Sequence, residues 1–223
     1  MCLLKKNNIR ITIFYQLQLK YLIQFNIFGV MEIKFKQLNE DQTFEKMSFV
    51  DQTFKSLTFD NCEFKEVDFT STALISCKFT NCRFIRCNFS STNINASQLN
   101  ETSFEECKIL GVHFHACSDF LFSPNFKNCT LDFSSFYQKK MQRTAFTNCS
   151  LKEVDFSESD LSQSVFDNCS LLDSVFYRTI LKEVDFRTAK HFSINPEVNE
   201  LKKARFTRDG LEGLLSKYNI IIE

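Results

Sequence analysis

FKNCTL (residues 126–131), FTNCSL (146–151) and FDNCSL (166–171) recur at a spacing of twenty residues, as do FDNCEF (59–64) and FTNCRF (79–84) earlier in the chain. A shorter period runs between the copies. Stepping by five from Phe44 meets Phe49, Phe54, Phe59, Phe64, Phe69, Leu74, Phe79, Phe84, Phe89, Ile94, Leu99, Phe104, Ile109 and Phe114, all large and apolar. The phase slips by two residues and resumes at Phe126, passing through Leu131, Phe136, Met141, Phe146, Leu151, Phe156, Leu161, Phe166, Leu171, Phe176 and Leu181 to Phe186. A period of five matches neither the 3.6 of an amphipathic helix nor the 2 of a half-buried strand.

With the large residue called i, position i−2 is small or β-branched: Cys62, Val67, Thr72, Cys77, Cys82 and Cys87 early, Cys149, Val154, Ser159 and Ser164 late. Positions i−1, i+1 and i+2 are mostly polar. One large and one small inward residue per five describe a chain that turns a corner every pentapeptide, and four corners close a square of twenty residues. Like should then stack on like: Phe126, Phe146 and Phe166 in one inner column, Cys129, Cys149 and Cys169 beside them, Asn128, Asn148 and Asn168 at a corner. Successive coils pair as strands do, at roughly 4.8 Å, so about seven coils make a rod roughly 35–40 Å long. No coil buries its inner face alone, so stability comes from its neighbours.

The pattern of small residue, Asp or Asn, Leu or Phe, then two variable positions resembles the pentapeptide-repeat proteins; VDFTS, CNFSS, VDFSE, SDLSQ and VDFRT carry the resemblance, which spans residues 42–190. It implies an all-β fold, a right-handed quadrilateral β-helix. Three segments are expected: a non-repeat extension over 1–30, the β-helix over 31–208 with a break near 115–125, and a short C-terminal helix and tail over 209–223.

The composition agrees with one environment copied many times: 27 Phe and no Trp, with only 4 Gly and 2 Pro. Formal charge is zero, but residues 1–30 hold Lys5, Lys6, Arg10 and Lys20 and no acid, leaving 23 basic against 27 acidic residues beyond them. That mild acidity gives no reason to expect direct nucleic-acid binding. The first 30 residues show neither a signal-peptide run, being broken by Gln16, Gln18, Lys20, Gln24 and Asn26, nor the ~20 apolar residues that span a bilayer. They are expected to lie outside the fold, with Met31 as the natural start and surface binding by an amphipathic segment as the other reading. A cytoplasmic protein is expected, with no membrane contact.

The chain carries few signals of chemistry. All nine repeat-region cysteines fall at i−2, the register of packing rather than of zinc ligation, and are expected as buried free thiols. His113, His115 and Cys117 read as HxHxC, but the register turns both histidines outward and Cys117 inward, so surface histidines are expected. Gly29, Gly111, Gly210 and Gly213 form no phosphate loop. No catalytic residue, metal or cofactor is expected, and the chain reads as a non-enzyme.

Two irregular places remain. In HACSDFLFSPN (115–125) the apolar Phe120, Leu121 and Phe122 cannot all turn inward, so the segment is either a bulge tucking two of them over the core or a partner-binding loop that includes Phe120 and Phe122. At the C-terminus Phe206 returns to register. Asp209 and Glu212 are placed as a capping box, and Leu211, Leu214, Leu215 and Tyr218 form an apolar stripe followed by Ile220. That stripe is expected to cap the rod, to join two rods into a homodimer, or both.

Within the family the chain resembles the Qnr, MfpA and McbG group in its size, its mid-rod interruption and the ending KKARFTRDGLEGLLSKYNI. The resemblance implies a DNA-mimic dimer that binds DNA gyrase or topoisomerase IV and protects it from quinolones or toxins. Its candidate contacts are Glu153, Asp155, Glu158, Asp160, Asp167, Asp173, Glu183 and Asp185, all outward by register, with Lys139, Lys140, Arg143, Lys152, Lys182 and Arg187 among them. Residues 42–190 hold 19 acids and 16 bases, a poor match to a duplex with one charge per ~1.7 Å. The alternative is an interaction scaffold with another protein partner.

Overall fold

The computed structural model describes residues 22–25, 31–218, 220 and 221. The expectations for the rest of residues 1–30 lie outside them. Leu22–Phe25 pairs antiparallel with Met31–Lys34. From Phe35 onward the backbone winds as a quadrilateral parallel β-helix.

Register follows the twenty-residue spacing. Phe44 pairs with Phe64, Phe64 with Phe84 and Phe84 with Phe104 on one face, while Phe59 pairs with Phe79 and Phe79 with Leu99 on another. Across the break the offset becomes 22, with Phe104 opposite Phe126 and His113 opposite Ser135. It then returns to twenty: Phe126 faces Phe146, and Phe146 faces Phe166. Beyond the break many contacts between coils are single bridges, such as Asp155 with Val175.

The rings stack in columns. Phe126 and Phe146 lie 5.2 Å apart at 8°, and Phe146 and Phe166 lie 4.9 Å apart at 3°. Phe186 and Phe206 extend the same column at 5.1 and 5.3 Å. Rings on adjacent faces meet edge-on, as Phe84 and Phe89 do at 86°, and so do rings across the axis, as Phe156 and Phe166 do at 83°. Both arrangements suit the aromatic quadrupole. At the N-terminal end Phe35 sits within 5.1–5.2 Å of Phe44, Phe49, Phe54 and Phe59, so a single ring plugs the mouth of the first coil.

The small i−2 residue does more than leave room. Thr72, Thr92 and Ser97 hydroxyls donate to the carbonyls of Phe49, Phe69 and Leu74 in the coil before, at 2.7–2.8 Å, and the Cys87 and Cys107 thiols do the same to Phe64 and Phe84 at 3.3 Å. A buried carbonyl at each corner needs a donor, which explains why Cys, Ser and Thr dominate this position. Among the described residues all nine cysteines, those of the repeat region, are buried free thiols.

Corners are made at i+2, where the chain enters the left-handed region. Asn61, Asn81, Asn128, Asn148 and Asn168 adopt φ of 51–55° there, and residues without that preference, including Glu153, Glu158 and Arg178, adopt 53–58°. The Asn148 side chain donates to Asn128 Oδ1 at 3.0 Å, joining two of the three asparagines expected to stack at this corner. Stacking overrides the intrinsic cost of a non-glycine left-handed residue, of the order of 1–2 kcal/mol.

At the other end Arg208 and Asp209–Leu211 lead through a 3-10 turn into a one-turn helix, Glu212–Leu215, and a further turn over Ser216–Tyr218. The expected capping box between Asp209 and Glu212 is absent. Thr207 caps instead, its Oγ1 accepting from the Gly210 N–H at 3.2 Å. Leu214 packs against the core, whereas Leu211, Leu215, Tyr218, Ile220 and Ile221 are exposed.

Candidate functional site

The mid-rod break is where the register releases side chains the repeat would otherwise bury. The two additional residues are absorbed between Ser118, whose N–H donates to Ser97, and Ser123, whose N–H donates to Leu99 at 2.9 Å. Only one of the three adjacent apolar residues turns in. Phe122 is 7% exposed, packed near Phe114 at 6.3 Å, so its expected place on a binding loop is corrected to a place in the core. Phe120 (66% exposed) and Leu121 (55%) point outward, and Leu121 takes the left-handed φ of 54° that forms the knob.

Beneath the knob lies a residue misjudged in the sequence. Lys139 occupies i−2 of Met141, where the column otherwise holds Cys77, Ser97, Cys117, Ser159 and Thr179, and its side chain is buried rather than among the outer bases. Its ammonium donates to the Cys117 carbonyl at 2.5 Å and to Asp119 Oδ1 at 2.7 Å, and lies 4.9 Å from the centre of the Phe122 ring. A carbonyl, a carboxylate and a ring face together satisfy the charge that burial would penalise. The register signal was present, two residues before Met141, but a lysine was expected to face water.

The candidate acidic contacts all lie outside the core, distributed over the four sides. Asp167 and Asp185 flank the Phe166 and Phe186 column, Glu153 and Asp173 the Leu151 and Leu171 column, Asp155 and Glu158 the Phe156 column, Asp160 and Glu183 the Leu161 and Leu181 column. Bases and amides interrupt each set. Asp185 binds Arg187 at 2.7 Å, and that guanidinium holds its carboxyl below the usual range. Glu158 accepts from Gln138 and Glu183 from Gln163. At Asp160 partial burial pushes the carboxyl up, but the Ser162 hydroxyl and N–H and the Gln142 amide together outweigh it and hold it low. No side carries an unbroken acidic stripe in this set.

His113 and His115 project outward as expected, their ring centres 5.2 Å apart. Among the described residues no group of three or more His, Cys, Asp or Glu side chains is placed to hold a metal ion. No described helix is long and apolar enough to cross a membrane.

At the C-terminal end Gly213 lies against Phe192: a Cβ there would fall onto the Phe192 carbonyl and within 2.6 Å of its ring carbons. The Ile194 N–H donates to the Gly213 carbonyl at 2.9 Å, and Lys217 and Tyr218 reach Glu197. The helix is thus docked by its backbone, leaving most of its apolar stripe facing away from the rod.

The family model described as a pentapeptide repeat region matches residues 120–195, and that of pentapeptide repeats in eight copies matches residues 68–105. The chain belongs to the pentapeptide-repeat family. Among solved structures, this pentapeptide-repeat protein is similar to trypsin-treated QnrB1, a plasmid-mediated fluoroquinolone resistance protein, at 15% identity over 83% of this chain and 98% of that one, with a TM-score of 0.47. It is also similar to HetL, a pentapeptide repeat protein involved in heterocyst differentiation regulation from the cyanobacterium Nostoc sp. strain PCC 7120, at 10% identity over 76% and 88% of the two chains, TM-score 0.36. A pentapeptide repeat protein from the Arabidopsis thaliana thylakoid lumen matches at 14% identity, 77% and 75% coverage and TM-score 0.20. No curated protein matches the chain.

Proposed function

We propose that this protein is a non-enzymatic interaction scaffold that presents a rigid apolar knob to a protein partner. The carrying observation is the pair Phe120 and Leu121, held outward on the mid-rod stretch that leaves the repeat, between Asp119 and Phe122, which both meet the buried Lys139. Two apolar side chains on a well-ordered support fit the anchor of a protein contact, since anchors act best when little ordering is lost on binding. A photo-crosslinking residue at position 120 is expected to trap a partner that the same residue at Ser71, on another coil, does not. The double variant Phe120→Asp, Leu121→Asp should lose that partner while its melting temperature stays within a few degrees. Unchanged crosslinking partners at both positions would remove the reading.

The narrower reading is a homodimer joined through Leu211, Leu215, Tyr218 and Ile220 that occupies the DNA saddle of gyrase or topoisomerase IV. Its support is the sequence resemblance and the exposed apolar stripe on the C-terminal helix. The spread of the acids over four sides weighs against mimicry of a duplex, whose charge is continuous. At micromolar concentration the protein would alter gyrase supercoiling or its quinolone sensitivity, and Leu215→Asp would shift the sedimenting mass from dimer to monomer. Absence of both effects leaves the scaffold reading standing and eliminates this one.

A further inference from the structure

One groove of the rod is not used by any of these contacts. It has a volume of about 590 Å3 and is lined by Ser91, Asn93, Asn95, Gly111, His113 and His115 among others, none of them charged side chains at neutral pH apart from the titratable imidazoles. Gly111 helps to open it: the residue makes the corner at φ +64°, and a Cβ there would meet no atom within 4 Å. Most other corners carry a side chain at this position, as Glu106 and Arg86 do.

We infer that His113 and His115 form a two-imidazole chelate in this groove for a borderline divalent ion, Cu(II), Ni(II) or Zn(II), the metals imidazole suits. His113 precedes, and His115 lies within, the 3-10 turn Phe114–Ala116; both side chains face solvent around the buried Phe114, and their ring centres lie 5.2 Å apart at 59°. An imidazole–metal bond requires ~2.1 Å, and two exposed rings with centres 5.2 Å apart can each turn one nitrogen toward an ion held between them.

A second, independent feature concerns which nitrogen is free. His115 Nδ1 lies 3.1 Å from Ser135 Oγ in the next coil. In the tautomer whose Nδ1–H donates to that oxygen, Nε2 carries the lone pair, the arrangement by which an outer partner orients a ligating histidine. With two protein ligands the remaining positions belong to water.

The test uses the untagged full chain. Calorimetric titration with Ni(II) is expected to give one ion per chain, and His113→Gln or His115→Gln should each weaken binding by more than the roughly tenfold that loss of an outer-shell partner costs. Ser135→Ala should weaken it by about that tenfold while stoichiometry stays at one, and His191→Gln should change nothing. The Cu(II) complex should show electron paramagnetic splitting from two nitrogens, reduced to one in either single variant. Binding that persists at wild-type affinity in both histidine variants, a sulfur-dominated Cu(II) signature, or no Ni(II) binding above that of the double variant would each overturn the site.

Discussion

At the scale of the residue, one pentapeptide position performs two tasks at once. The i−2 side chain fills the corner, and where it is Cys, Ser or Thr it can also donate to a carbonyl of the coil before, as Cys107 does at 3.3 Å and Thr72 at 2.7 Å. The sequence reading placed these cysteines inside as small apolar residues, and the burial is as expected; the donor role needed the neighbouring coil, 23 residues away, to be seen. Burial pushes the Cys117 thiol up from 9.0 to about 12. The neutral thiol is therefore favoured in the folded state, and its contribution is fully present below about pH 9 and lost as pH rises toward about 12, where the unfolded chain alone has released the proton. Urea midpoints measured between pH 8 and 11 should fall with pH, and Cys117→Ser should flatten that fall. Because the thiolate is the nucleophile, iodoacetamide at pH 8 should leave Cys117 unmodified in the native protein and label it in urea.

At the scale of the element, the break and the C-terminal helix depend on single groups with unequal partners. Lys139 is buried while Asp119 is 66% exposed, so the two sides of the pair respond differently to mutation. Asp119→Ala leaves a buried ammonium with one carbonyl and a ring face, and is expected to cost about 1–3 kcal/mol, below the full range for breaking a buried pair because water reaches the carboxylate side. Lys139→Met replaces the cation by an apolar chain of similar length and should cost less than Asp119→Ala, reversing the order expected if the lysine were an outer base. Urea denaturation of the two variants decides the order. The phase slip itself was legible in the sequence, but which of Phe120, Leu121 and Phe122 would fill the core was not, since all three are apolar and only the coils above and below set the direction.

The helix gives a parallel case. Its existence was readable from residues 209–218, but its cap was assigned two residues late, because Asp209 and Glu212 look like a capping pair locally while Thr207 is the group that meets the Gly210 N–H. Gly213→Ala is expected to push the helix off Phe192. Hydrogen exchange at the Ile194 amide, whose acceptor is the Gly213 carbonyl, should accelerate by at least about tenfold, with the coils around Phe126 unaffected.

At the scale of the molecule, the rod is a stack of near-equivalent coils whose inner columns alternate beyond the break: Phe146 and Phe156 on two opposite sides, Leu151 and Leu161 on the other two. Removing residues 146–165 deletes one coil and returns Phe166 to the place above Phe126 that Phe146 held, so the shortened chain should fold with a β-rich spectrum and a melting temperature within roughly 10 °C, losing mainly one set of neighbour interactions. Removing only 146–150 turns every later coil by a quarter, setting Phe columns onto Leu columns, and should lower the melting temperature further despite deleting fewer residues. Circular dichroism melts of both deletions check the order.

The period of five, the square cross-section, the inner columns and the buried thiols were determined by the sequence alone, because each coil repeats one local rule and stacking copies that rule at a fixed offset of twenty. The direction of a side chain at the break, the burial of Lys139, the real helix cap and the meeting of His113 with His115 were decided only by the tertiary structure. At those places the local rule fails, and the outcome depends on which groups of neighbouring coils need an atom, a donor or a charge.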